Sequence, residues 1–143
     1  MESREFFLCF GKLLYCIDGF YNEYAKHSKI KQNLLWFLYA ISDGKIHSQK
    51  EICKSWELPK STINTIAKEL ESKSYIKLIH KNGEKRELCI VLTDLGKKLM
   101  EELLSDLFKK EKIVFDEIKN ESESILNGLK IINEKLNSME DKK

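Results

Sequence analysis

The residues whose types and spacing point most plainly to chemistry are Lys60-Ser61-Thr62-Ile63-Asn64-Thr65 and, one turn on, Lys68. Short hydroxyls and an amide on one helical face let a backbone approach a nucleic-acid groove and still hydrogen-bond base edges or phosphate. A helix that only solvates itself carries long Glu and Lys side chains there instead. Ser61 and Thr62 can also cap their own helix, and the two uses are compatible. Further along, Lys81-Asn82-Gly83-Glu84-Lys85-Arg86 gathers three cations and one anion in a turn. Asn-Gly accounts for the turn; it does not account for the clustered cations.

No other pattern points to catalysis. His27, His47 and His80 are isolated along the sequence, and each reads as a surface or capping residue. There is no G-x-S-x-G, no phosphate-cradling glycine loop and no metal-ligand spacing. Cys9, Cys16, Cys53 and Cys89 form no C-x-x-C pair, so they read as small buried hydrophobes rather than zinc ligands or disulfides. The chain is therefore expected to be no enzyme, with no metal and no cofactor.

The elements that must position the polar stretch follow from periodicity and caps. Apolar residues at helical spacing predict a first helix from about Arg4 to Lys26. A second is predicted from Lys31 to Ser42, stopped by Asp43-Gly44. Ile46-His47 is short and extended. Ser48-Gln49-Lys50-Glu51 is a capping box that opens a third helix running to about Trp56. Leu58-Pro59 opens the fourth, with Ile63, Ile66, Ala67 and Leu70 inward. Tyr75–His80 and Glu87–Leu92 are rich in β-formers and flank the Asn-Gly turn, so they predict a hairpin. Thr93 caps a long helix, a break falls near Asn120-Glu121-Ser122, and a last helix holds Ile125, Leu126, Leu129, Ile132, Leu136 and Met139. The apolar surface of the terminal helices exceeds what one small lobe needs, and a second subunit could cover it. Helix, turn, helix and hairpin in this order form a layout that sets one helix in the DNA major groove and a β-loop beside it.

Charge follows the same division. Residues 1–44 carry five basic and five acidic side chains, residues 45–98 carry twelve and seven, and residues 99–143 carry eight and eleven, within a net charge of only +2. The positive excess falls on the helix-turn-helix and wing, where phosphate contacts would need it. The N-terminal apolar run breaks at Lys12 and lacks a cleavage site, and no window reaches a membrane span. A cytoplasmic protein with no membrane partner is expected.

The segments Lys60-Ser61-Thr62-Ile63-Asn64, Leu70-Glu71-Ser72-Lys73-Ser74-Tyr75-Ile76 and Leu92-Thr93-Asp94-Leu95-Gly96, in that order and spacing, resemble the MarR family of bacterial transcription regulators. The resemblance implies a mainly α fold with a small β-hairpin wing, in one domain spanning 1–143. Residues 31–94 would form the winged helix-turn-helix lobe, and 1–30 with 95–143 the dimerisation helices. It implies a homodimer on a pseudo-palindromic double-stranded DNA operator, acting as a repressor released by a small aromatic or apolar ligand. Base reading would fall to Ser61, Thr62 and Asn64, and phosphate anchoring to Ser48, Lys60 and Lys68. The wing contact would fall to Lys81, Lys85 and Arg86, with Glu84 supporting the wing. Thr65 stands where many members carry arginine, and Ser74 replaces the glycine common before the hairpin. By the same resemblance an effector pocket would be lined by Tyr15, Phe20, Tyr24, Trp36, Tyr39 and Leu99. Leu8-Cys9-Phe10 resembles the segment bearing the reactive thiol of the family's peroxide-sensing branch, with Tyr15, Tyr21 and Tyr24 as hydroxyl neighbours. The alternatives left open are a protein-interaction module on the same winged fold and a peroxide-sensing regulator acting through Cys9.

Overall fold

The computed structural model describes residues 1–80 and 87–140. The order is α1 (Ser3–His27), α2 (Gln32–Ala40), β1 (His47–Ser48), α3 (Gln49–Trp56), α4 (Lys60–Ser72), β2 (Ile76–His80), β3 (Leu88–Leu92), α5 (Asp94–Ile118), a 3₁₀ turn (Lys119–Glu121) and α6 (Ser122–Ser138). The chain forms two compact units, Met1–Ser105 and Asp106–Lys143, divided within α5.

Three boundaries differ from expectation for local reasons. Helix α2 stops at Ala40, before Ser42, because the Ser42 N–H and hydroxyl both turn back to the Tyr39 carbonyl, at 3.1 and 2.6 Å. Gly44 then takes the left-handed conformation at φ 76°, which glycine adopts without a Cβ clash. Helix α4 begins at Lys60, with Pro59 outside it in extended backbone, its carbonyl accepting the Ile63 N–H at 3.1 Å. Ile46-His47 is expected only to be extended; instead His47 and the cap residue Ser48 join a three-stranded antiparallel sheet in the order β1-β3-β2, with His47 opposite Ile90 and Ser48 opposite Cys89.

In the first unit the core closes over Leu35, Phe37 and Leu38 of α2, Ile52 of α3, Ile63, Ala67 and Leu70 of α4, Ile76 of β2, and Cys89 and Ile90 of β3. A fully buried Leu, Ile or Phe contributes about 1.5–3 kcal/mol, so this lobe can hold its functional face rigid. The hairpin register runs from Ile76 opposite Leu92 to His80 opposite Leu88. In α1, Ala25 is the buried residue, and Leu8, Leu13, Tyr15 and Ile17 are more than half exposed. Cys9 and Cys16, expected to be buried, lie exposed on that helix, while Cys89 is buried as expected. In the second unit Leu107 is the buried residue among those described, and Ile113, Val114, Phe115, Leu126, Leu129 and Met139 are all exposed. Among the described residues, no helix is long and apolar enough to cross a membrane.

Candidate nucleic-acid interface

The site is assembled by two caps and a clamp. Ser48 caps α3, its Oγ accepting the Glu51 N–H at 3.0 Å. Helix α3 ends at Trp56, and its cap residue Glu57, with a left-handed φ of 48°, turns the chain toward α4. At the far end of α4, Ser74 takes φ 64°, a conformation that costs a residue with a Cβ about 1–2 kcal/mol. This is the position where glycine is common in the resembled family. The Thr93 hydroxyl compensates locally: it lies 2.6 Å from the Ser74 carbonyl and 3.0 Å from that of Tyr75, and it accepts the Gly96 N–H at 3.0 Å as the cap of α5. A Cβ on Gly96 would stand 1.9 Å from the Tyr75 carbonyl oxygen, so only glycine fits there. The end of α4, the start of β2 and the start of α5 thus meet at one rigid joint. A second tie runs from the Glu71 carboxylate of α4, which accepts the Leu78 N–H of β2 at 3.3 Å.

Held this way, α4 turns Lys60, Ser61, Thr65 and Lys68 outward, with Thr62 and Asn64 half-buried on its shoulders. Thr65 donates its hydroxyl proton to the Ser61 carbonyl at 2.9 Å, so the helix itself uses the donor that a groove contact would need. A cleft of about 610 Å³ opens beside the helix, lined by Gln49, Lys50 and Cys53 of α3, Lys60 and Asn64 of α4, and Glu87 and Leu88 at the start of β3. It brings together two of the expected contact residues, Lys60 and Asn64, and adds Gln49 and Lys50, which sequence reasoning missed. Their signal was present: they follow a capped serine at the head of the preceding helix. Only the fold shows that this first turn faces the first turns of α4.

Several expected placements change. Ser48, expected to anchor phosphate, is 3% exposed and caps its helix, so it offers no exposed hydroxyl. Lys81, Glu84, Lys85 and Arg86 lie outside the described residues. Of the six residues expected to line an effector pocket, none lines the 610 Å³ cleft or the cavity of about 260 Å³ bordered by Ile46, Ser48, Glu51, Ile79, His80, Glu87 and Cys89. Trp36 and Tyr39 pack in an aromatic cluster with Tyr21 and Trp56, at centroid distances of 4.8 to 6.5 Å, Tyr39 edge-on to its neighbours and Trp36 tilted against Tyr21 and Trp56. Tyr24 donates to the Leu103 carbonyl at 2.7 Å, Tyr15 is 80% exposed, Phe20 is exposed and Leu99 is half-buried. Cys9 is exposed on the unbroken helix α1. At 1.5 Å per residue, Tyr21 and Tyr24 stand about 18 and 22 Å along that axis from Cys9, beyond reach as hydroxyl neighbours within one chain. Among the described residues, no group of His, Cys, Asp and Glu is placed to hold a metal.

One ionic cluster borders the interface. His47 Nε2 lies 2.8 Å from Asp43 Oδ1, and His47 Nδ1 lies 3.5 Å from Glu51 Oε2. The His47 hydrogen bond, then the Lys45 N–H, hold the Asp43 carboxyl below its ordinary value.

No family model matches the chain, and no curated protein matches it in sequence. Solved structures do. A MarR-family regulator from Neisseria meningitidis superposes with a TM-score of 0.75 at 22% identity, over 96% of this chain and 98% of that one. The fold is that of the MarR-family transcription regulators. A MarR/EmrR-family regulator from Acinetobacter sp. ADP1 matches with a TM-score of 0.70 at 23% identity, over 96% and 98% of the two chains. MarR from Staphylococcus aureus, solved with salicylate and kanamycin, matches with a TM-score of 0.67 at 22% identity, over 96% and 94%. This MarR fold spans nearly the full length of both partners in each comparison, terminal helices included.

Proposed function

We propose that this chain is a member of the MarR family and a homodimeric, duplex-DNA-binding transcription regulator. One observation carries the reading: the outward polar face of α4 and the first turn of α3 share a cleft with two lysines and two carboxamides at the root of the wing strand. Lys60, Lys50 and Lys68 suit phosphate, and Ser61, Thr62 and Asn64 suit base edges. The uncovered apolar faces of α1 and of residues 106–140 favour a second copy as partner. Two-fold pairing would set the α4 helices about 34 Å apart, in successive major grooves. The salicylate-bound neighbour favours a small aromatic effector that loosens the grip on DNA, which is the logic of a repressor.

The test is titration of purified protein against the duplex upstream of its own gene. Binding should be tight at low salt and should weaken steeply as salt rises. Salicylate at millimolar concentration should lower the affinity. Absence of duplex binding at low salt, together with salt-insensitive capture of a protein partner, would favour the interaction-module reading instead.

A further inference from the structure

His47 stands at the point where three parts of the interface meet. Its backbone pairs with Ile90 of the wing strand β3. The next residue caps α3, the helix that carries Gln49 and Lys50 into the cleft. Its ring, with a side-chain exposure of 20%, lies between two carboxylates, Asp43 on the preceding turn and Glu51 on α3. In a reciprocal capping box the glutamate turns back to the N–H of the cap residue. Here Glu51 gives its N–H to Ser48 and directs its carboxylate to the His47 ring.

We propose that His47 is a positioning residue of this interface: its imidazolium, hydrogen-bonded to Asp43 and ion-paired with Glu51, fixes the first turn of α3 against the wing strand and makes duplex binding depend on pH. The donor count decides the sign. The imidazolium has two N–H groups for two carboxylates; the neutral ring has one. The shorter contact, at 2.8 Å to Asp43, keeps that proton. The Nδ1 lone pair then faces a Glu51 oxygen, and attraction becomes repulsion. Glu51 swings away, and the turn bearing Gln49 and Lys50 loses its tether to β1. The carboxylates against the ring are those of Asp43 on its own loop and Glu51 on α3; Glu51 also lines the 260 Å³ cavity together with His80 of β2 and Glu87. Histidine is the side chain type that ordinarily changes charge between about pH 5 and 8, which sets the pH values for the test.

The inference rests on the duplex-binding reading, and the experiment separates the two. Affinity for the upstream duplex is measured at pH 6 and pH 8, at constant ionic strength, for wild type, His47→Gln, Glu51→Gln and His27→Gln. Wild type and His27→Gln should lose about fivefold in affinity on going to pH 8. His47→Gln should lose less than about twofold, starting from the weaker level, and Glu51→Gln should fall between them. Alongside, amide chemical shifts of the DNA-free protein are followed across the same range. The Glu51 and Ile90 amides should titrate together with the His47 ring and cease to do so in His47→Gln. A His47→Gln profile matching that of His27→Gln, or Glu51 and Ile90 amides indifferent to the ring, overturns the proposal. Failure of every form to bind duplex at either pH defeats the DNA-binding reading instead, while the amide titration still decides whether His47 positions α3.

Discussion

Leu70 on α4 and Leu129 on α6 occupy the same kind of place, the apolar stripe of an amphipathic helix. Leu70 is 4% exposed and Leu129 is 42% exposed. In the lobe from α2 to β3, three helices and a sheet enclose each stripe, so a leucine finds neighbours within its own chain. In the unit from Asp106 onward, α6 buries no residue along its whole length. Equal periodicity therefore leads to unequal burial. One region is a finished core that holds a polar face; the other is a half-core whose partner is proposed to be a second copy.

The sharpest test of the finished region is Gly96→Ala. With a Cβ driven to 1.9 Å from the Tyr75 carbonyl, the joint between α4, β2 and α5 must open. A loss of about 3 kcal/mol or more in urea unfolding is expected, and a wild-type unfolding midpoint would show that the joint is not rigid. The paired leucines come next. Leu70→Ala should cost about 2–5 kcal/mol at every protein concentration. Leu129→Lys should leave the lobe's spectrum intact and shift sedimentation from dimer to monomer, raising the dimer dissociation constant about 30-fold or more. If the two variants behave alike, the contrast between the regions fails.

Smaller effects probe the face that the lobe presents. Lys50→Ala and Lys60→Ala should each weaken duplex binding about equally for all sequences and reduce the salt slope by about 1; an unchanged slope for Lys50→Ala removes α3 from the interface. Ser74→Gly should relieve the left-handed strain at φ 64° and stabilise by about 1 kcal/mol, raising the melting temperature by a few degrees. The smallest effect concerns Asp43. Its carboxyl titrates below the ordinary carboxylate value because of the His47 hydrogen bond. Its stabilising contribution is therefore present above that ordinary value and is lost as pH falls through the lowered one. In His47→Ala the Asp43 carboxyl should titrate closer to its ordinary value by NMR, and the acid limb of unfolding should move slightly toward higher pH.

Local rules were enough for much of this molecule. Ser48 and Thr93 announced their helices because a short hydroxyl before an apolar period is a cap, and both hydroxyls accept the expected N–H. Asn-Gly between two β-rich runs announced the hairpin, and Ser61, Thr65 and Lys68 followed from helical spacing onto the outer face of α4. Chain-distant placement obeyed no such rule. That Gln49 and Lys50 share a cleft with Lys60 and Asn64 depends on how α3 packs against α4. That His47 meets Ile90 depends on a strand pairing between residues 43 positions apart, and that Gly96 must lack a Cβ depends on a carbonyl 21 positions away in the chain. The aromatic residues show the same limit: only the family resemblance suggested a cavity lining, and which rings meet, Trp36 and Tyr39 with Tyr21 and Trp56, was set by packing. Caps and periods are encoded within one or two turns of chain; contacts between distant segments exist only once burial and backbone pairing have chosen a single arrangement.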